Sequence, residues 1–386
     1  MAMAMEEWRF PQGRAVDAVR WLPHATAAMD RLLVLALWDA TPCRPSIDLT
    51  SLCHQEQAEA GQSTPWLQLQ VSWPQPARAS ALRVLALSHE RVLVAAASVV
   101  GSLSLVAIDS LHPSRPSAPL ICPSLHRGSM CGLDLQSSSQ SCVSVGEDGK
   151  INIISFGESG LQPMCFYDNR GLLSFSAVRW ASPVEFVTGG IGYSLQWWDT
   201  RRPGGAVSKA LTKWNGRHGP GLIHSIDIHP SRKHICVIGG SAGSVLAWDL
   251  RWQQEPIQLV GDNARGKGNL LGAPPIESDV WEVKYDHFSP FSGHSADTGK
   301  ASPVMVCSED GVLAVLEDGV AVELLAEPCA INSFDIDPEL GQDIICALEH
   351  ESVLVMRRGL DIPQKKLGNL TSQRGTIGST FGSNYF

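Results

Sequence analysis

The chain has 386 residues, 44% of them hydrophobic, so it can bury a large core and is not a disordered polymer. Only 18% are charged, while Gly (35) and Pro (24) are plentiful, which is a composition of strands and turns rather than helices. A formal net charge of −9 lacks the basic footprint that counterion release from nucleic acid requires, so no direct nucleic-acid partner is expected.

In chain order, EEWRF (6–10) is a short apolar strand with no neighbours of its own. AVDAVRWLP (15–23), LLVLALWD (32–39) and PSIDLTSL (45–52) come next as three strands, and ALRVLAL, RVLVAAAS and SLSLVAID (81–109) as three more. CGLDLQ (131–136), CVSVGEDG (142–149) and KINIISF (150–156) repeat the arrangement, as do SFSAVRW (174–180), VEFVTGG (184–190) and SLQWWDTRR (194–202). The clearest copy is IHSIDIHPSRKHICVIGGSAGSVLAWDLRW (223–252), completed by an apolar run at 256–260. DVWEVKY (279–285), VMVCSEDG (304–311) and VLAVLED (312–318) form a sixth copy, and INSFDID, DIICALEH and SVLVMRR (331–358) a seventh.

Strand, turn, strand, glycine turn, strand and outer strand is the pattern of one β-propeller blade. The second-to-third-strand turns fall near Gly101, Gly149, Tyr193, Gly243, Gly311 and Glu351. Most are spaced close to the ~40–45 residues expected per blade. One longer interval holds a Ser/Gly/Pro-rich surface insertion at 287–302. The expected fold is therefore all-β: a seven-bladed propeller over 1–358 with a flexible C-terminal tail at 359–386. The seventh copy has no fourth strand, so residues 6–10 are expected to pair into it and close the ring, removing exposed sheet edges.

No motif assembles a catalytic site. Asp148-Gly149 and Asp310-Gly311 are read as hairpin turns, which Asp-Gly suits because such turns need φ > 0. GGSAG (239–243) matches G-x-S-x-G, but a strand rather than a helix comes after it. GDNARGKG (261–268) resembles a phosphate loop but has Gly268 where a Ser or Thr should hold Mg²⁺. Ten cysteines form no C-x-x-C pair and neighbour no His cluster, so neither a metal nor a cofactor is expected. Residues 1–10 carry no secretory signal, and His89, Glu90 and Arg91 interrupt the most apolar stretch. A soluble intracellular protein without membrane insertion is expected.

Tryptophans are the stronger markers, since each can bury ~150–250 Å². Trp180, Trp198 and Trp248 stand where they would fill the gaps between blades. Trp281 opens a first strand and is a candidate partner contact, with core packing as the alternative. Trp198-Asp199 and Trp248-Asp249 each continue as W-D-x-R. In some propellers that pattern marks substrate adaptors of cullin-type ubiquitin ligases, and the plainer alternative is an Arg paired with its own blade's Asp.

The repeats resemble the WD-repeat superfamily. The ordered set GEDGKINIISF, VLAWDLR, SDVWEVKYD and VCSEDGVLAVLED, with RWLP and LALWDA near the start, resembles in particular the forty-three-kilodalton WD-repeat nucleoporins. That resemblance implies a non-enzymatic scaffold subunit of the Y-shaped outer-ring complex of the nuclear pore. It implies outer-ring nucleoporins as partners, the eighty-five-kilodalton short-arm nucleoporin first among them, and a role in nucleocytoplasmic transport of protein and mRNA. Two departures stand out: Gly-His occurs only at Gly293-His294, inside the insertion, and the last two third strands end in Leu316-Glu317 and Met356-Arg357 instead of Trp-Asp.

Overall fold

The computed structural model describes residues 6–23, 31–56, 63–115, 117–157, 160–192, 194–210, 221–251, 257–260, 276–288, 303–317 and 320–358. These residues form seven antiparallel four-stranded sheets. Blade 1 spans residues 15–74, blade 2 79–122, blade 3 130–168, blade 4 175–210, blade 5 223–260 and blade 6 280–326. Blade 7 takes three strands from residues 331–357 and its outermost strand, Glu6–Pro11, from the other end of the chain. Each inner strand packs against the inner strands of the blades before and after it, the seventh against the first, so the sheets close into a propeller.

The apolar core arises from strand alternation. Second and third strands are buried on both faces, as in RLLVLALW at Arg31–Trp38 and DIICAL at Asp343–Leu348. Their side chains fill seven clusters, one at each seam between neighbouring blades. Trp198 and Trp248 are fully buried at the seams between blades 3 and 4 and blades 4 and 5, and Trp180 is half-buried at the former. Trp198 stacks on Phe186 at 6.1 Å, and its indole N–H donates to the Thr188 hydroxyl at 2.9 Å. The Trp198 donor is thus satisfied, whereas the indole N–H groups of Trp180 and Trp248 are buried with no acceptor among the described residues.

The expected turns lie where the sequence places them. Gly101, Gly149, Gly243, Gly311 and even Glu351 have positive φ, and Gly192 does so beside Tyr193. At Gly311 the conformation (φ 82°) is compounded by crowding. A Cβ there would lie 2.1 Å from the Glu327 carbonyl oxygen, which is backbone and cannot yield. Tyr193, the phosphate-loop-like stretch, Gly293-His294, the insertion beyond Phe288 and the tail at 359–386 lie outside the described residues.

The closing strand is fastened by more than its ladder. Trp8 pairs with Val355, and both Trp8 and Phe10 pack on the cluster between blades 7 and 1. The Arg9 guanidinium makes two hydrogen bonds to the almost fully buried Glu327 carboxylate of blade 6, one of them 2.7 Å long. Arg357 lies over the Trp8 ring at 5.2 Å while donating to buried Asp343 at 2.9 Å. Asp343 also accepts from Arg31 of blade 1.

Deleting residues 1–10 should therefore lower the denaturation midpoint, with a loss on the order of 3 kcal/mol from apolar burial and the ionic latch together. Thermal melts of full-length and truncated protein measure it, and an unchanged midpoint would refute closure as a source of stability.

Candidate functional site: the axial channel and the two faces

All seven inner strands carry a register shift at the same place, for example Val16/Ala18, Val280/Glu282 and Ile331/Ser333. One residue is thereby extruded at the start of each strand: Asp17, Ser80, Cys131, Ser176, His224, Trp281 and Asn332. A bulge re-aims the side chains beyond it. After it, Val19, Leu82, Leu133, Val178, Ile226, Val283 and Phe334 enter the seams and are buried. The next residues, Arg20, Arg83, Asp134, Arg179, Asp227, Lys284 and Asp335, turn to the axis.

These seven acidic and basic side chains ring the axis, with Glu282 one layer above them. The Arg179 guanidinium bridges Asp134 at 3.0 Å and Asp227 at 2.9 Å, and Lys284 donates to Asp335 at 2.6 Å. Arg20 makes two bonds to Glu282, of 2.7 and 3.1 Å. Each axial Asp uses its second oxygen on a backbone N–H of the next blade. Asp134 accepts from Trp180, Asp227 from Tyr285 and Asp335 from Trp21, at 2.8 to 2.9 Å. Burial by itself would raise the Glu282 pKa, but Arg20, Lys284 and Arg83 outweigh it and hold the carboxyl down to about 2. For Arg179 burial opposes the charge, and Asp134 and Asp227 reverse the balance, so its pKa is raised. Burial lowers the Lys284 pKa despite Asp335.

Arg20, Glu282 and Arg83 divide the channel into two chambers. The upper, about 110 Å³, is edged by small residues such as Ala81, Gly132 and Ala177 and bordered by His224 and Trp281. The lower, about 280 Å³, lies on the side of the first-to-second-strand turns, with Pro23 and Pro338 among its lining.

The upper face carries the sequence-marked residues. Trp281 is half-buried, tilted against His224 at 4.7 Å, and packs on the cluster between blades 6 and 7. His224 is itself held by Asp279 at 2.9 Å. Asp148 does more than shape its turn: it accepts from His126 Nδ1 at 2.9 Å and from the Arg127 and Lys150 amides. His126 Nε2 faces the Ser144 hydroxyl at 2.8 Å. Ser, His and Asp are thus aligned as in a hydrolase relay, yet Ser144 and the His126 ring are fully buried, out of reach of any substrate. The arrangement pins the connection into blade 3. No Gly precedes His126, so the Gly-His landmark could not reveal it. Asp310 accepts from the Glu277 amide and the Ser308 hydroxyl, locking the Gly311 turn.

On the opposite side, Asp199 and Asp249 each grip the Arg two residues on, Arg201 at 2.8 Å and Arg251 at 2.7 Å. Both W-D-x-R arginines therefore bond within their own blade. Burial pushes the Cys131 thiol up to about 11 and raises Cys142, Cys236, Cys307 and Cys346 further, so these five stay protonated and unreactive. No metal-binding cluster occurs among the described residues. No helix there is long and apolar enough to cross a membrane. Among the exposed apolar side chains, Val99 and Val100, Leu172 and Leu173, and Ile191 lie on the upper-face turns, while others such as Leu69 and Met164 lie on outer strands. The loop bearing Leu172, which is 81% exposed, is rigid, since Asn169 donates to the Leu173 carbonyl at 2.6 Å and Ser174 to that of Glu147.

Seven closed four-stranded blades, with Trp-Asp ending the third strands of blades 4 and 5 and Asp-Gly turns in blades 3 and 6, define a WD-type β-propeller. No protein-family model matches the chain. It is 42% identical to nuclear pore complex protein NUP43 of Arabidopsis thaliana over 359 residues, covering 91% of this chain and 97% of that protein. Nucleoporin Nup43 of Homo sapiens is 29% identical over 171 residues, 44% of this chain and 37% of that protein. Nuclear pore complex protein nup43 of Dictyostelium discoideum is 25% identical over 252 residues, 58% of this chain and 52% of that protein. The chain belongs to the Nup43 family of nuclear pore complex proteins.

Replacing Glu282 with Ala leaves buried Arg20 without its carboxylate and should cost about 3–5 kcal/mol, read from the urea midpoint. Burial also lowers the His126 pKa below its ordinary 6.5, with Asp148 only partly offsetting it. The unfolded chain then takes up the proton more readily, so stability present above pH 6.5 is lost as the pH falls below that value. His126→Gln should shrink the drop in thermal midpoint across this range, and an unchanged slope would contradict the assignment.

Proposed function

We propose that this Nup43-family protein is a non-enzymatic scaffold subunit of the outer ring of the nuclear pore complex, supporting nucleocytoplasmic transport of protein and mRNA. It is a nucleoporin of the nuclear envelope with pore-complex proteins as partners, the eighty-five-kilodalton short-arm nucleoporin foremost. The observation that carries the reading is 42% identity across nearly the full length of a nuclear pore complex protein. Its chemistry agrees: the His–Asp pair that resembles a relay is sealed in, five of the cysteines are held as thiols, and the charged groups of the axis neutralise one another. A closed disc offers two faces and a rim at fixed geometry, which suits holding several partners at once. The upper face supplies rigid apolar anchors in Leu172 and Leu173, with Trp281 at the channel mouth. Of these, Trp281 is of the residue type enriched among interface hot spots.

Tagging the protein in cells and identifying its partners by mass spectrometry tests the reading. A nuclear-rim signal and recovery of outer-ring nucleoporins are expected, and the pair Leu172→Glu with Leu173→Glu should lose at least one of them without lowering the melting midpoint. A diffuse protein that captures a cullin adaptor instead would overturn it. For Trp281→Ala, normal binding with reduced stability would assign Trp281 to the core.

A further inference from the structure

The axial ring contains one cation without a carboxylate of its own. Arg83 approaches Asp134 and Glu282 no closer than 3.9 Å, beyond hydrogen-bond distance. Its Nη1 donates to the Leu82 carbonyl at 3.2 Å, and its buried Nε has no acceptor among the described residues. Every other axial cation is engaged: Arg20 by Glu282 and backbone carbonyls, Arg179 by two aspartates, Lys284 by Asp335.

Arg83 borders the lower chamber, and the charges that line it are unequal. Arg20, Arg83, Arg179 and Lys284 face it with Glu282 and Asp335; Asp134 and Asp227, outside its wall, also neutralise Arg179, which leaves Arg83 as the lining cation with no close counter-charge. Its volume of about 280 Å³ compares with the ~30 Å³ that one water occupies in the liquid, leaving room for a small oxyanion and its remaining hydration. With Nε closed off from the chamber, it is the Nη1/Nη2 end of the guanidinium that can offer paired donors to phosphate oxygens.

We propose that the lower chamber of the axial channel is a binding site for a small phosphate-class oxyanion, held by the Nη end of the Arg83 guanidinium. The depressed Arg83 pKa, about 10, fits this: burial and the neighbouring Arg20 and Arg179 penalise its charge, and a bound anion relieves that penalty. This inference is independent of the pore assignment.

The test is titration of the full-length protein with inorganic phosphate against chloride at matched ionic strength, read by the ³¹P line width and by the thermal midpoint. Wild type should broaden the line and gain stability in phosphate. Arg83→Gln should lose both effects, with at least a tenfold weaker half-saturation, while Arg127→Gln, an exposed arginine on the other face, keeps them. Because Arg83 makes no close ion pair, Arg83→Gln should melt in chloride no lower than wild type. Should it fail to fold, Arg83→Lys, which keeps the charge but not the fork, should give weaker broadening than wild type. No broadening by wild type, or equal broadening by the Arg83 variant tested, overturns the proposal.

Discussion

A ring with an odd number of members cannot alternate in sign, and the interior of this propeller is organised around that constraint. Going round the axis, blades 3 to 7 read Asp134, Arg179, Asp227, Lys284 and Asp335, and blade 1 adds Arg20. Blade 2 then contributes Arg83, a second arginine in succession. Arg179 bonds Asp134 and Asp227 and Lys284 bonds Asp335, and each Asp also reaches the backbone of the following blade. Where signs repeat, Glu282 intrudes from the layer above, binding Arg20 tightly and Arg83 only at a distance. Buried charges at this density are tolerable because nearly all of them are paired.

The same ring ties the blades to one another in a way the apolar seams do not. Seam packing is between neighbours, whereas Glu282 of blade 6 contacts Arg20 of blade 1 and Ser333 of blade 7 together. Closure at the outside repeats the device. Arg9 joins the closing strand to blade 6, and Arg31 joins blade 1 to Asp337 and Asp343 of blade 7. The last joint of the ring is thus reinforced both at its axis and at its rim.

Much of this architecture was legible in the sequence, because alternation, turn glycines and strand-end tryptophans are local signals. The spare strand at residues 6–10 could be given its place because blade 7 lacked a partner. Outer strands such as Ser63–Pro74 and Gly160–Asp168 were harder to read, since exposure mixes polar residues into them and weakens the pattern. The axial charges were overlooked for a related reason. VRW, LRV, LDL, VRW, IDI, VKY and FDI recur at the end of every inner strand, yet a lone charge between apolar residues looks solvent-facing until the ring is closed. His126 was missed because its role depends on Asp148 and Ser144, which lie some twenty residues further along the chain.

The closing strand also sets an order of events during synthesis. Residues 6–11 leave the ribosome before any of the seven blades' inner strands, but their partner, Ser352–Arg357, is among the last described residues to be made. At ~5–20 residues per second the interval is on the order of tens of seconds. Throughout that time the amphipathic segment around Trp8 and Phe10 has no native place to go, and blade 1 stands with one flank bare. A propeller closed by strands about 340 residues apart must be kept from premature pairing until the later strand has been made, a burden that a ring finished within one contiguous repeat would not carry.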